Sequence, residues 1–190
     1  MIKPMLAQKV NTKPIDWTNK VFVQPKLDGV RCIFTKDGAY SRNHKQFKNV
    51  DHLQNDLQDF FKKFPDVVLD GELYNHALKQ DFEKIISLVR KQKPSEQDRS
   101  EASNLVQFHV YDVITEPNVT YEFRHNMLAL QLPIVKSITL IKNTVVESYD
   151  EAKMLHAVHL AQGYEGSMIR LNAFYEQKRS YNLQKFKDFV

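Results

Sequence analysis

Short apolar runs dominate the first third of the chain, and such runs are typical of β-strands. They predict strands at residues 21–25, 30–34 and 39–41, with a turn at 36–38 between the last two. Because the runs follow one another closely, we expect these strands to form an antiparallel meander.

Acidic residues follow the next apolar run. Residues 67–69 lead directly into Asp70-Gly71-Glu72, and an apolar strand that ends in acidic residues can deliver carboxylates to a cleft. Further strands are predicted at 106–110 and 167–171. Residues 134–146 predict one or two strands, interrupted at 142–143.

Helical periodicity appears first at residues 51–63, where apolar side chains recur near one face. The same criterion predicts helices at 82–90, 123–132 and 149–162, the last ending before Gly163.

Residues 91–104 contain almost no apolar side chain, which predicts a mobile surface loop or a frayed helix. The mixture of meanders and helices indicates an α+β fold in which antiparallel sheets pack with helices. With 190 residues, of which 42% are hydrophobic, the chain can bury a substantial core as one domain, or as one domain and a small lobe.

Net charge adds a mild preference for an anionic partner. The chain has 27 Lys and Arg against 23 Asp and Glu, for a formal charge of +4. No window reaches the ~18 consecutive apolar residues of a membrane span, and the first residues lack the apolar core of a secretory signal. We therefore expect a cytoplasmic protein without a membrane partner. The single cysteine, Cys32, is predicted to be buried as a small hydrophobe.

The hexapeptide Lys26-Leu27-Asp28-Gly29-Val30-Arg31 has the composition of a nucleophile site. Lys26 follows an apolar strand, and Gly29 permits a tight turn that can bring a phosphate against Lys26 and Arg31. Lysine attacks only as the free amine, so its pKa must fall from about 10.4, and Arg31 is a positive neighbour that would favour this. Taken alone, the hexapeptide fits an ordinary hairpin turn equally well.

Five other stretches accompany it in a fixed order: Ser41-Arg42-Asn43, Asp70-Gly71-Glu72-Leu73, Phe108-His109-Val110-Tyr111-Asp112, Glu165-Gly166-Ser167-Met168-Ile169-Arg170 and Leu183-Gln184-Lys185-Phe186-Lys187. With the opening Lys3-Pro4-Met5-Leu6-Ala7, the set resembles the adenylation domain of ATP-dependent DNA ligases, within the covalent nucleotidyltransferase superfamily. The resemblance runs to the end of the chain. It implies an ATP-grasp-like nucleotidyltransferase fold, with residues 1–190 forming one adenylation domain.

The resemblance also implies a reaction. Lys26 would attack ATP to form a lysyl-adenylate and release pyrophosphate, the AMP would pass to the 5′-phosphate of a nick, and a 3′-hydroxyl would displace it. The implied cofactors are ATP and Mg²⁺, and the implied partner is nicked double-stranded DNA, bound by a monomer. Ligases of this family usually continue into an OB-fold domain, which we expect to be absent here, so that a longer chain or a partner protein would supply the clamp.

Roles for individual residues follow from the resemblance. Tyr111 would stack on adenine with Met168 on the opposite side, Gln24 would reach the adenine amino group, and Lys185 and Lys187 would face the α-phosphate. The nucleotide contacts implied as a set are Gln24, Lys26, Leu27, Arg31, Arg42, Glu72, Tyr111, Met168, Lys185 and Lys187. Glu72 and Glu165 are the expected metal ligands, since Mg²⁺ prefers oxygen ligands. Arg42, Arg170 and Arg179 are the expected nucleic-acid contacts. Many family members have a glycine where His44 follows the arginine motif.

Several alternatives remain open at this point. RNA ligases and capping enzymes share the implied fold, and the expected absence of the OB-fold domain is the argument for a non-catalytic nucleotide- or nick-binding module. Each carboxylate also fits a surface turn, and Lys185 and Lys187 fit a solvated strand edge. His156 and His159 lie at helical spacing without an identifiable third ligand, so we expect a solvent-facing pair. The sequence has neither a P-loop nor a dinucleotide-binding fingerprint.

Overall fold

The structure, a computed structural model, describes residues 2–187 and forms two five-stranded sheets with six α-helices in that range. The strands are β1 (Leu6–Lys9), β2 (Val21–Lys26), β3 (Val30–Thr35), β4 (Gly38–Tyr40), β5 (Val68–Tyr74), β6 (Gln107–Ile114), β7 (Ile138–Leu140), β8 (Thr144–Val146), β9 (Gly166–Leu171) and β10 (Arg179–Phe186). The helices are α1 (Asp51–Asp56), α2 (Gln58–Lys63), α3 (Glu83–Val89), α4 (Glu96–Leu105), α5 (Tyr121–Gln131) and α6 (Tyr149–Ala161).

Two compact units divide the chain. Unit 1 comprises the chain up to Leu27, Asn118–Phe123 and the part from Ile141 onward. Unit 2 comprises Asp28–Pro117 and Arg124–Leu140. No helix among residues 2–187 is both long enough and apolar enough to span a membrane.

The sheet of unit 1 has the strand order β1-β10-β9-β2-β8. Alternate residues of β2 point to opposite faces, so Val21 and Val23 enter the core while Gln24 and Lys26 occupy positions of the opposite parity. Helix α6 covers the core face, where Ala152 packs with the β2 valines. One face of this sheet is therefore apolar and covered, and the other carries the polar side chains.

The sheet of unit 2 has the order β4-β3-β5-β6-β7. Cys32 and Phe34 of β3 enter an apolar core that also contains Phe108 of β6, which confirms the predicted burial of Cys32. Burial raises the pKa of the Cys32 thiol well above its ordinary value, with Asp70 acting in the same direction. The thiol is therefore a core group and not a reactive one.

Most predicted elements are confirmed, but the meander over residues 21–41 is wrong. β2 pairs with β8 and β9, whereas β3 pairs with β4 and β5, so the chain changes sheet between Lys26 and Val30. The hairpin alternative for the Lys26 hexapeptide is wrong for the same reason. The sheets are also mixed, because the β1–β10 and β6–β7 pairs are parallel.

Three local differences separate the predicted elements from those of the structure. The helix predicted at 51–63 is interrupted at Leu57, giving α1 and α2. The segment predicted as a loop or frayed helix contains α4, whose first turn is stabilised by a reciprocal capping box between Ser95 and Asp98. The short strand β1 was not predicted. It pairs in parallel with β10, which lies about 170 positions later in the chain, so local sequence gives little sign of it.

Candidate active site

Lys26 is the last residue of β2 and is held at the polar face by both backbone and side chain. Its carbonyl accepts a hydrogen bond from the Glu165 amide at 3.1 Å, and its Nζ lies 2.8 Å from Glu165 Oε2. Lys187 Nζ lies 2.9 Å from the other oxygen, Oε1. One carboxylate thus bridges two ammonium groups next to the strand end.

The Glu165 carboxylate is stabilised in its charged form. Burial by itself would raise its pKa, but the hydrogen bonds from Lys26 and Lys187 outweigh burial, so the pKa of Glu165 is lowered. The side chains of Lys26 and Glu165 remain 22% and 20% exposed. The Glu165 carboxylate is consequently favoured in its ionised form, and both side chains are still accessible to a ligand.

Gly166 makes this close arrangement possible. It lies opposite Lys26 in the β2–β9 ladder, and a Cβ built on it would be 2.3 Å from the carbonyl oxygen of Phe186. Any side chain here would push β10 away from β9, and with it Lys187, which follows Phe186 directly.

A buried polar network occupies the same sheet further from the strand end. The Gln24 amide donates to Tyr121 Oη at 2.7 Å and to Asn143 Oδ1 at 2.8 Å, and its oxygen accepts from Arg170 Nε at 2.8 Å. Gln24 and Arg170 are 1% and 2% exposed, and the Arg170 guanidinium lies over the Tyr121 ring. Both side chains are thus buried in a hydrogen-bonded network of unit 1, and the adenine contact predicted for Gln24 and the nucleic-acid contact predicted for Arg170 remain predictions.

Lys185 and Met168 lie beside this network on neighbouring strands. Lys185 pairs with Met168, which pairs in turn with Gln24, so the three side chains project from one face. Both Lys185 and Met168 are half-buried. Their predicted contacts with the nucleotide remain predictions.

The histidines of α6 are not solvent-facing, contrary to the prediction. His156 and His159 are 0% and 6% exposed, and each has Nδ1 within hydrogen-bond distance of Ser167 Oγ, at 3.0 and 2.7 Å. Burial, and secondarily His156, lower the pKa of His159 to about 4. The error arose because helical spacing alone does not tell which face of a helix meets the sheet.

Unit 2 presents a second polar face, built on β5 and β6. Glu72 Oε2 accepts from the Gly29 amide at 3.2 Å, and Oε1 accepts from Tyr111 Oη at 3.2 Å. The ladder shifts register at Asp70 and Gly71, leaving Tyr111 as the extra residue of a β-bulge. Because of this bulge, the consecutive residues Tyr111 and Asp112 lie on the same side of the sheet as Glu72.

Two arginine–aspartate pairs support that face. Arg31 binds Asp70 through Nε at 2.6 Å and Nη2 at 2.7 Å, and its guanidinium lies 5.3 Å from the centre of the Tyr111 ring. Arg124 binds Asp112 through Nε at 2.7 Å and Nη2 at 3.2 Å. The Arg31 charge is thus compensated by Asp70, and its predicted effect on Lys26 and its predicted contact with the nucleotide remain predictions. The sequence reasoning missed the Arg124–Asp112 pair.

Three further predicted residues have different surroundings. Arg42 is exposed on a loop in which Ser41 Oγ accepts the amides of Asn43 and Lys45, and His44 adopts the left-handed φ of 65° that favours glycine. Arg179 is exposed and donates to the Ala7 carbonyl. The Leu27 side chain is buried and has no polar atom to offer a ligand.

In the described part of the chain, carboxylates suited to a metal ion are present, but they are not gathered into a complete set of ligands. Among residues 2–187 no group of three or more His, Cys, Asp and Glu side chains is arranged to hold a metal ion. Glu165 in unit 1 and Glu72 in unit 2 each offer carboxylate oxygens that are not fully buried, the donor type that Mg²⁺ prefers.

Sequence comparison provides an independent description of this chain. A profile of the family described as "ATP dependent DNA ligase domain" matches residues 4–187. A DNA ligase of African swine fever virus is 30% identical over 93% of this chain and 43% of its own length. A DNA ligase of Enterobacteria phage T4 is 26% identical over 98% of this chain and 48% of its own length. The chain thus spans less than half of these relatives.

Solved structures share the fold. A Lig E DNA ligase superimposes with a TM-score of 0.79 at 21% identity, covering 99% of this chain and 69% of that one. The ATP-dependent DNA ligase of bacteriophage T7, solved in complex with ATP, gives a TM-score of 0.74 at 17% identity over 98% of this chain and 68% of that one. At these identities the comparison establishes the arrangement of strands and helices.

Proposed function

The chain belongs to the ATP-dependent DNA ligase domain family, and from this membership we propose that it transfers AMP from ATP to Lys26 and then to the 5′-phosphate of a nicked nucleic acid. The observation that carries the proposal is the bridge of Glu165 between Lys26 and Lys187, at 2.8 and 2.9 Å. A partly exposed lysine at a strand end, with a second ammonium close by, has the groups that attack on a phosphate requires.

In the first step the Lys26 amine attacks the α-phosphorus of ATP. A nitrogen–phosphorus bond forms, the bond between the α-phosphorus and its bridging oxygen to the β-phosphate breaks, and pyrophosphate leaves with that electron pair. Glu165 Oε2 is in hydrogen-bond contact with Nζ, so it can orient the amine and accept a proton from it. Lys187 and Lys185 are the candidates to hold the oxygens of the α-phosphate.

Magnesium fits the donor chemistry of this proposal. Mg²⁺ is usually bound by one or two carboxylates together with substrate phosphates and water, and we propose Glu165 of unit 1 and, separately, Glu72 of unit 2 as candidate carboxylate ligands. When bound, the ion would neutralise charge on the transferring phosphate.

Unit 2 contributes the proposed nucleoside contacts. Tyr111 offers an aromatic face for adenine, and Arg31 lies over the same ring, so the base would stack on the opposite side of the ring or replace the guanidinium. The Glu72 carboxylate accepts from Gly29 and Tyr111 and has remaining capacity to accept from ribose hydroxyls.

For the nucleic acid, we propose that Arg42 contacts phosphate. It is exposed, and the turn that presents it is fixed by Ser41 and by the left-handed His44. Guanidinium groups bind phosphate with two parallel hydrogen bonds, which positions a strand without reading its sequence. We propose nicked double-stranded DNA as the partner.

Covalent labelling tests the proposal. Incubation with ATP and Mg²⁺ should add one AMP to the intact mass of the wild type and none to Lys26→Ala, and GTP should label poorly. Addition of a nicked DNA duplex to the labelled protein should then discharge the AMP. Lys20→Ala is the matched control, since Lys20 lies in unit 1 in an exposed ion pair with Glu122 and should label normally.

Labelling of Lys26→Ala at the wild-type level, or no labelling of the wild type, would refute the nucleophile assignment. Preferential labelling by GTP would favour a capping-type enzyme. Discharge only by an all-RNA nick would favour an RNA ligase. Normal labelling without discharge by any nick would show that the second step needs residues outside this chain.

A further inference from the structure

We propose that Lys9 and Lys185 form a phosphate-binding pair on the sheet face of unit 1 that bears Lys26. The proposal rests on the proposed function for the reaction it serves, but the pair itself follows from the parallel contact between β1 and β10. Lys9 belongs to none of the motifs that identify the nucleotide site, and only the fold brings it there.

The strand register places the two lysines side by side. Lys9 is opposite Lys185 in the parallel β1–β10 ladder, and the Lys9 side of the ladder is fixed by the hydrogen bond from the Val10 amide to the Lys185 carbonyl at 3.1 Å. Side chains of residues paired across neighbouring strands project from the same face. Lys9 and Lys185 therefore share one face of the sheet.

That face is the one with the nucleophile. The row of paired residues continues from Lys185 to Met168 and then to Gln24, and Lys26 follows Gln24 by two residues on β2. Since residues two apart on a strand project to the same side, the row and Lys26 share a face. Helix α6 covers the opposite one.

The charges of the two lysines are not compensated within the part of the chain that the structure describes. No acidic side chain among residues 2–187 lies within salt-bridge distance of either, whereas Lys26 and Lys187 share Glu165. Lys9 is exposed and Lys185 half-buried. Like charges on directly opposed residues destabilise a sheet, and an oxyanion bound to both would offset the repulsion. Lysine is a common ligand for such phosphate oxygens.

The position of Lys9 distinguishes this phosphate from the one attacked by Lys26. In the strand order β1-β10-β9-β2, Lys9 lies three strands from Lys26, or roughly 14 Å at the usual strand spacing. The ligand of the pair is therefore a second phosphate group, and Lys185, which lies between Lys9 and Lys26 in the strand order, would contact both this group and the α-phosphate. Its two sources are the terminal phosphates of the nucleotide and a phosphodiester of the nucleic acid, and the experiment below separates them.

The experiment compares Lys9→Gln with two reference variants. Lys9→Arg keeps the positive charge. Lys153→Gln removes one charge from an exposed position of α6, on the opposite side of the sheet. Binding of inorganic tripolyphosphate is measured by calorimetry, and binding of a nicked DNA duplex is measured by fluorescence anisotropy over a range of salt concentrations. Neither measurement requires catalysis.

If the pair binds the terminal phosphates, Lys9→Gln should raise the Kd for tripolyphosphate by about 5-fold and leave nick binding unchanged. If the pair binds the nucleic acid, the Kd for the nicked duplex should rise by a similar factor. The slope of log Kd against log salt concentration should then fall by about 1. Lys9→Arg should retain most of the affinity in either case. Equal Kd values for Lys9→Gln and Lys153→Gln with both probes would overturn the proposal.

Failure of the proposed function would look different. If the wild type takes up no AMP but Lys9→Gln still weakens binding of either probe, the phosphate pair stands and the reaction does not. If labelling is normal and Lys9→Gln changes neither affinity, the reaction stands and the pair does not.

Discussion

In unit 2 the carboxylates of Asp70 and Asp112 are completely buried, and each is held by two nitrogens of one arginine. In unit 1 the Glu165 carboxylate is 20% exposed and is held by one nitrogen from each of two lysines. The arginine pairs fix direction as well as distance, because a planar guanidinium meets a carboxylate in a single orientation. The lysine contacts leave the Glu165 oxygens free to exchange partners when a ligand enters.

From this contrast we infer a supporting role for the buried aspartates, and it agrees with the reacting role that we propose for the partly exposed Glu165. Asp70 and Glu72 are two residues apart on β5 and project to the same side, yet Asp70 is fully buried while Glu72 is only partly so and accepts hydrogen bonds from neutral donors. Asp70 holds Arg31 against the Tyr111 ring, whereas Glu72 is a residue that we propose to contact the nucleotide. The variants below test the contrast through stability, from the largest expected effect to the smallest.

Arg124→Met should cause the largest loss. It leaves Asp112 charged, buried and without its arginine, and breaking a buried pair by removing one partner costs about 3–5 kcal/mol. Urea unfolding monitored by circular dichroism measures the change. The double variant Arg124→Met/Asp112→Leu removes both charges. It should recover part of the lost stability, because no buried charge is then left unpaired. A single variant as stable as the wild type would mean that the pair is not structurally important.

The next largest effect should appear as pH falls. Burial, followed by the neighbouring His156, lowers the pKa of His159 to about 4 from 6.5, so the unfolded chain takes up the proton at a higher pH than the folded chain does. The stabilising contribution is fully present above about pH 6.5 and is lost as pH falls toward 4.

The wild type should lose unfolding free energy as pH falls from 7 to 4.5, and His159→Gln should reduce this loss by roughly 1–2 kcal/mol. Burial also lowers the pKa of His109 in unit 2 to about 4, so His109→Gln should flatten the decline similarly. Thermal unfolding across this pH range measures both. A decline in either variant as steep as in the wild type would show that the histidine concerned does not titrate in the folded protein as described.

Glu165→Gln should have the smallest effect on stability, below about 1 kcal/mol, because the ion pairs that it removes are partly exposed. Its effect on AMP labelling should be much larger, on the order of 100-fold in rate, because the lost charge would act on the reacting groups. Urea unfolding and time-resolved intact-mass measurements give the two values. A stability loss comparable to that of Arg124→Met would show that Glu165 supports the fold, and the contrast between the units would fail.

Local sequence patterns determined a large part of the secondary structure. Apolar runs located β2, β3 and β9, helical periodicity located α6, and Cys32 is buried as predicted. These succeed because strand and helix periods are properties of neighbouring residues. The order of the motifs led to the correct family. Lys26 could be selected as the candidate nucleophile only from its flanking residues together with the other motifs.

Only the tertiary structure decided which residues meet. Gln24 and Arg170 are 146 positions apart and form a buried hydrogen bond, and His156 and His159 face Ser167 because α6 covers that side of the sheet. Lys9 lies beside Lys185 because β1 pairs in parallel with β10. A strand's sequence specifies which of its faces is apolar, but not which distant strand completes its hydrogen bonds. The packing of the whole sheet decides which strands pair. It therefore also decides how deeply the polar side chains of the sheet are buried and which partners they contact.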